Sequence, residues 1–109
     1  MITAYADTIA LGSPKTVQEL ATAITTLKAA PWQGQDVIFD LLSWQAITPD
    51  ALTSLQALSA AMNAQKNSLV VVSTLSDIPP DDPSLAVAPT LHEAEDYIRF
   101  EQMQRDLGL

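Results

Sequence analysis

The run Leu85-Ala86-Val87-Ala88-Pro89-Thr90-Leu91-His92-Glu93-Ala94, continued by Tyr97-Ile98-Arg99-Phe100-Glu101-Gln102-Met103-Gln104-Arg105-Asp106-Leu107-Gly108, reads as a short buried strand, a capped turn and a long acidic helix. Thr90 to Glu93 has capping-box spacing, in which the threonine oxygen accepts from the third helical N–H and the glutamate reaches back. Glu95 with Arg99 and Glu101 with Arg105 stand four apart with the acid first, the favourable order for helical ion pairs. A strand feeding a helix at this point predicts the last β-α unit of a small α/β domain.

Working outward, Ser68 to Val72 is β-branched and uncharged, the pattern of a central strand. Ser73 to Ser84 is a loop rich in Pro and Asp. Upstream, Thr48-Pro49-Asp50 opens a helix: Thr48 is the cap, Pro49 suits the first helical position and Asp50 complements the dipole. Its inward stripe is predicted as Leu52, Leu55, Leu58 or Ser59, and Met62, with an end within Asn63 to Asn67. Asp36 to Leu42 is an apolar run of strand length whose near-continuous hydrophobicity fits burial on both faces. Thr16-Val17-Gln18-Glu19 repeats the capping-box spacing and predicts a helix to about Ala29, followed by a loop punctuated by Pro31 and Gly34. Ile2 to Tyr5 and Thr8 to Leu11 form either a hairpin around Ala6-Asp7 or one bent strand. The alternation predicts an α/β fold, with a small mainly parallel or mixed sheet of four or five strands and about three helices.

The length of 109 residues predicts a single domain over 1–109. With 48% hydrophobic and 17% charged residues, the chain has the composition of a globular protein. No cysteine is present, which excludes disulfides and thiolate chemistry. The net charge is −8, and the five cations Lys15, Lys28, Lys66, Arg99 and Arg105 are scattered. Direct nucleic-acid binding is therefore not expected. No basic-then-apolar leader opens the sequence and no apolar run approaches the roughly 20 residues of a membrane span, so a cytoplasmic protein without membrane contact is expected.

Several features together resemble the STAS domain, the anti-sigma-factor-antagonist fold. They are a strand ending in Asp40, the Thr48-Pro49-Asp50 helix start, a Val-rich strand and a terminal β-α unit. The resemblance runs from about Asp36 to Leu107. Ala88-Pro89-Thr90-Leu91-His92-Glu93-Ala94 looks like the helix start common in that family. Arg105-Asp106-Leu107-Gly108 looks like the ending of a divergent STAS-like group of small Bacteroidetes proteins encoded beside ribonuclease Z. The resemblance implies a non-catalytic regulatory protein-interaction module, with ribonuclease Z or its complex as a partner. Regulated antagonists carry an Asp followed by a phosphorylatable Ser at the start of the second helix. Here Thr48 and Pro49 take those places, so the usual switch is expected to be absent. The short connection after Val72 predicts that the usual helix between the last two strands is reduced to a turn.

Candidate sites follow from this reading. Thr48 is a candidate phosphosite, because a phosphate there would meet the free N–H groups of a helix start; a plain N-cap explains it as well. Asp50 reads either as a fixed negative charge or as ordinary dipole complementation. Thr48, Asp50, Thr53 and Ser54 form one candidate interaction surface. Phe100, Met103 and Leu107 continue an apolar stripe beyond Ala94 and Ile98; they either pack back on the first helix or dock a partner or a second copy, giving a homodimer. Trp32 and Trp44 cap the core or stay exposed as anchors. Asp77, Asp81 and Asp82 lack the spacing of a calcium loop, and a solvated acidic loop is the better reading. His92 has no nucleophile at catalytic spacing, and phosphate-loop, dinucleotide and zinc motifs are missing. No catalytic, metal or cofactor site is expected. The alternative to an interaction module is a STAS-like carrier of a small molecule or lipid, whose signature would be an internal apolar cavity.

Overall fold

Strands that are apolar on both faces need a layer on each side, and the chain supplies them. The computed structural model describes residues 2–6, 8–29, 35–79 and 81–108. The elements run β1 (Ile2–Ala6), β2 (Ile9–Gly12), α1 (Val17–Ala29), β3 (Asp36–Asp40), α2 (Pro49–Ala64), β4 (Leu69–Val72), β5 (Ala86–Ala88) and α3 (Leu91–Asp106). They form an α/β fold with one five-stranded mixed sheet in the order β1-β2-β3-β4-β5. β1 and β2 are an antiparallel hairpin, which settles the two readings of the first strands, and the other pairings are parallel. Asp7, Pro31, Trp32 and Gly34 lie outside the described residues.

Period-two alternation divides the sheet between two cores. Val37, Phe39, Leu69 and Val71 face α1 and α2, which contribute Leu20, Ile24, Leu27, Leu55, Leu58 and Met62. Ile9, Ile38, Val70 and Val72 face the other way and pack on Ala94 and Ile98 of α3. Because sheet order follows chain order, the two parallel crossovers through α1 and α2 keep both helices on one face. α3 covers the opposite face. The segment between β4 and β5 forms turns, as its length implied, and Leu75, Ile78 and Leu85 drop into the α1–α2 core.

The helix starts match the sequence pattern. Glu19 N–H donates to Thr16 Oγ1 (3.1 Å), Ala51 N–H to Thr48 Oγ1 (3.2 Å) and Glu93 N–H to Thr90 Oγ1 (3.1 Å). Three local details differ. β3 stops at Asp40, two residues short of the apolar run, because Asp40 Oδ1 accepts from Leu42 N–H (3.0 Å) and turns the chain. In α2 the first buried position is Ala51 rather than Leu52, and both Leu58 and Ser59 are buried. The Glu101–Arg105 pair does not form: the helix turns both side chains towards the sheet, where each finds a partner there instead. α2 ends in a Schellman motif, with Asn67 N–H to Met62 O (2.9 Å) and Lys66 N–H to Asn63 O (3.0 Å). Lys66, not glycine, holds its left-handed position at φ 64°.

Candidate functional site

α1 and α2 both start at the edge of the sheet where the parallel strands end. Trp44 ties these starts together: its ring lies partly buried against the core and Nε1–H donates to Pro14 O (2.9 Å). It therefore caps the core and does not stand out as an anchor. Between the first turns of the two helices lies a depression of about 290 Å³, lined by Val17, Ala21 and Ile24 from α1 and by Thr48, Asp50 and Ser54 from α2. Thr48 and Asp50 are exposed, and Val17 leaves 49% of its surface in water. Thr53 is exposed on α2 but does not line the depression. The structure thus brings three of the four predicted α2 residues beside an apolar strip of α1 that the sequence reading did not include.

The second feature is α3, whose first half buries Ala94 and Ile98 as an ordinary surface helix does, and whose last turns put polar side chains towards the sheet and apolar ones towards solvent. A turn of 3.6 residues puts Ala94, Ile98, Glu101, Gln102 and Arg105 on one side and Phe100, Met103 and Leu107 on the other. The first set faces the sheet. Ala94 and Ile98 are fully buried, but the next contacts are polar. Asp36, 2% exposed at the start of β3, is the centre. Its Oδ1 accepts from Ser68 N–H (2.7 Å), and its Oδ2 accepts from Gln102 Nε2 (2.7 Å) and Arg105 Nη2 (2.9 Å). Ser68 Oγ accepts from Arg105 Nη1 (2.9 Å) and donates to Glu101. Gln102 Nε2 also reaches Thr8 Oγ1 (2.8 Å), and Tyr5 OH donates to Glu95 Oε1 (3.1 Å). A buried carboxylate is tolerated only when paired and hydrogen-bonded, and Asp36 is both.

The second set faces solvent. Phe100, Met103 and Leu107 are 57%, 58% and 67% exposed. The reading in which they pack back on the first helix is corrected: α1 lies across the sheet from α3, and among the described residues the core on the α3 side does not include them. Tyr97 lies at the margin of the stripe, and its phenol pKa is raised by partial burial and by the Glu101 carboxylate. Tyr5 is shifted the same way, by desolvation first and then by Glu95.

The network around Asp36 was missed because Asp36 reads as the polar boundary of an apolar run and Arg105 reads as the partner of Glu101. The available signal was the spacing 94, 98, 101, 102, 105, which places Arg105 on the buried face of its helix.

Among the described residues His92 Nε2 pairs with Asp96 Oδ2 (3.3 Å), with both side chains mostly exposed. Ser68 is held between Glu101 and Arg105 and is 2% exposed. In the β4–β5 loop, Asp82 accepts from Gln56 Nε2 (2.7 Å), Ser84 N–H (2.9 Å) and Ser84 Oγ (2.6 Å), and the serine bonds hold its carboxyl below the usual range. Among the described residues no group of three His, Cys, Asp or Glu side chains is placed to hold a metal ion, and no helix is long and apolar enough to cross a membrane. No family model matches the sequence, and no match was found among curated proteins.

Proposed function

We propose that this protein is a non-catalytic, regulatory protein-interaction module of STAS-like type, acting in the cytoplasm. The observation that carries the reading is the C-terminal half of α3, which sets Glu101, Gln102 and Arg105 towards the sheet and leaves Phe100, Met103 and Leu107 in water. A helix that only covered a sheet would gain by the opposite arrangement, since apolar burial contributes about 25 cal/mol per Å². A contiguous apolar stripe on a surface otherwise rich in charge marks a contact site. The order of elements and the Thr48-Pro49-Asp50 start support the STAS-like assignment, while the turn-like β4–β5 connection departs from the helix usual there. The depression beside Thr48, Asp50 and Ser54 is a second contact surface, at the edge where the resemblance places recognition. Pro49, standing where the family has its phosphorylatable Ser, supports a contact without the usual switch. Ribonuclease Z or its complex is a candidate partner on the resemblance alone. The carrier reading calls for an enclosed apolar cavity, whereas the apolar depression here has the exposed Val17 and Asp50 at its lip.

Capture from lysate with four baits tests the proposal: wild type, Asp50→Lys, Phe100→Ser with Met103→Ser, and a variant combining all three. A protein retained by wild type and lost with either surface altered supports an interaction module and locates the contact. Equal recovery with all four baits contradicts it, as does hydrolysis or transfer activity that follows the pure protein.

A further inference from the structure

We propose that the outward face of α3 docks a protein surface whose apolar centre is ringed by lysine and arginine, and that its occupant is not a second copy of this chain. The inference rests on the interaction reading above and adds the chemistry of the partner. The stripe of Phe100, Met103 and Leu107 has a rim, and that rim is anionic. Glu93, Asp96 and Asp106 are exposed around it. The two arginines of the helix do not balance them. Arg105 is turned inward onto Asp36 (2.9 Å), and Arg99 is held by Glu95 (3.5 Å) on the flank. Arg105 is thus lost to the outer face and the exposed Arg99 is shared with Glu95, so the exposed carboxylates Glu93, Asp96 and Asp106 outweigh the cations around the stripe.

Charge complementarity then selects the occupant. Two copies meeting through this face would bring carboxylate rims together, on chains that each carry a net charge of −8. Like charges across an interface cost several kcal/mol and slow encounter, while opposite charges speed it. The three side chains of the stripe also cover much less than the roughly 800 Å² that each partner contributes to a standard interface. The rim must therefore lie inside the contact, and its charge must be met. A basic surface with an apolar knob satisfies both conditions. An anionic membrane satisfies the second condition no better than a second copy does.

The test uses the full chain and two synthetic amphipathic helical peptides with the same leucine face, one flanked by lysine and one by glutamate. Binding is followed by amide chemical shifts, which also report that each variant is folded. The lysine-flanked peptide is expected to shift the outer residues of α3. Met103→Ser should weaken it at least about tenfold, the loss expected for one buried methionine. Asp96→Lys with Asp106→Lys should weaken it by a similar factor, and added salt should do the same. Binding of the glutamate-flanked peptide with equal affinity would overturn the charge selection and leave the docking face standing. Shifts confined to other surfaces, or indifference to Met103→Ser, would overturn the docking face itself. A dimer in equilibrium sedimentation that Phe100→Ser dissolves would make a second copy the occupant. Attachment to phosphatidylcholine vesicles through the same stripe would put a membrane there.

Discussion

At the scale of single residues, two positions show what the fold demands. Gly12 ends β2 against Phe39, and a Cβ there would lie 2.8 Å from the ring carbons Cδ1 and Cε1. Phe39 is fully buried, so its ring must move within the packed core to make room. Gly12→Ala is therefore expected to cost about 1–3 kcal/mol through overpacking, read from urea unfolding. A loss within about 0.5 kcal/mol would mean that the ring repacks freely. Asp36 is the other position. It accepts three hydrogen bonds at 2% exposure, so removing it strands Ser68 N–H and the partly buried Arg105. Asp36→Ala should cost about 3 kcal/mol, near the lower end for a broken buried pair because Arg105 keeps some contact with water. In a double-mutant cycle with Arg105→Ala the losses should be strongly non-additive; additive losses would show that the pair is not coupled.

At the scale of elements, two tyrosines, Tyr97 of α3 and Tyr5 of β1 against Glu95 of α3, lie among the polar contacts of the last helix. Tyr5 and Tyr97 both have pKa values raised above the ordinary 10.0, the first by desolvation and Glu95, the second by desolvation and Glu101. The folded chain keeps phenol protons that the unfolded chain releases, so these groups stabilise fully below pH 10 and lose that contribution as pH rises through the folded values. Phenolate absorbance should rise at a midpoint above 10 in the folded protein and fall back to about 10 in urea. Tyr5→Phe should remove part of the alkaline loss of stability, and identical midpoints in the two states would contradict this picture of α3. Most of the elements were legible from local chemistry, because caps, periodicity and turn residues act over a few neighbours. Thr16, Thr48 and Thr90 placed the three helix starts, and Val70-Val71-Val72 placed the central strand. The inner face of α3 was not legible in the same way. The i,i+4 rule pairs Glu101 with Arg105 whatever the helix packs on, whereas Asp36 lies 69 positions away in sequence and is brought near only by the sheet. The end of β3 was missed for a related reason: Leu41 and Leu42 continue the apolar pattern, but the Asp40 side chain competes for the next N–H and turns the chain.

At the scale of the whole molecule, the sheet separates two kinds of surface. On one face α1 and α2 bury a conventional apolar core and leave a shallow depression at their first turns. On the other face a single helix buries Ala94 and Ile98, is locked further along by hydrogen bonds and an ion pair, and leaves Phe100, Met103 and Leu107 exposed. The cost of that arrangement in monomer stability is the physical argument for a partner. Phe100, Met103 and Leu107 then do nothing for the isolated fold. The measurement that tests it most directly is urea unfolding of wild type and of the Phe100→Ser, Met103→Ser, Leu107→Ser triple variant over about a hundredfold range of protein concentration. Both are expected to show the same stability within about 0.5 kcal/mol, independent of concentration. A triple variant weaker by 2 kcal/mol or more on that scale, or a wild-type midpoint that rises with concentration, would show that the stripe is covered within the fold or by a second copy, and would contradict it.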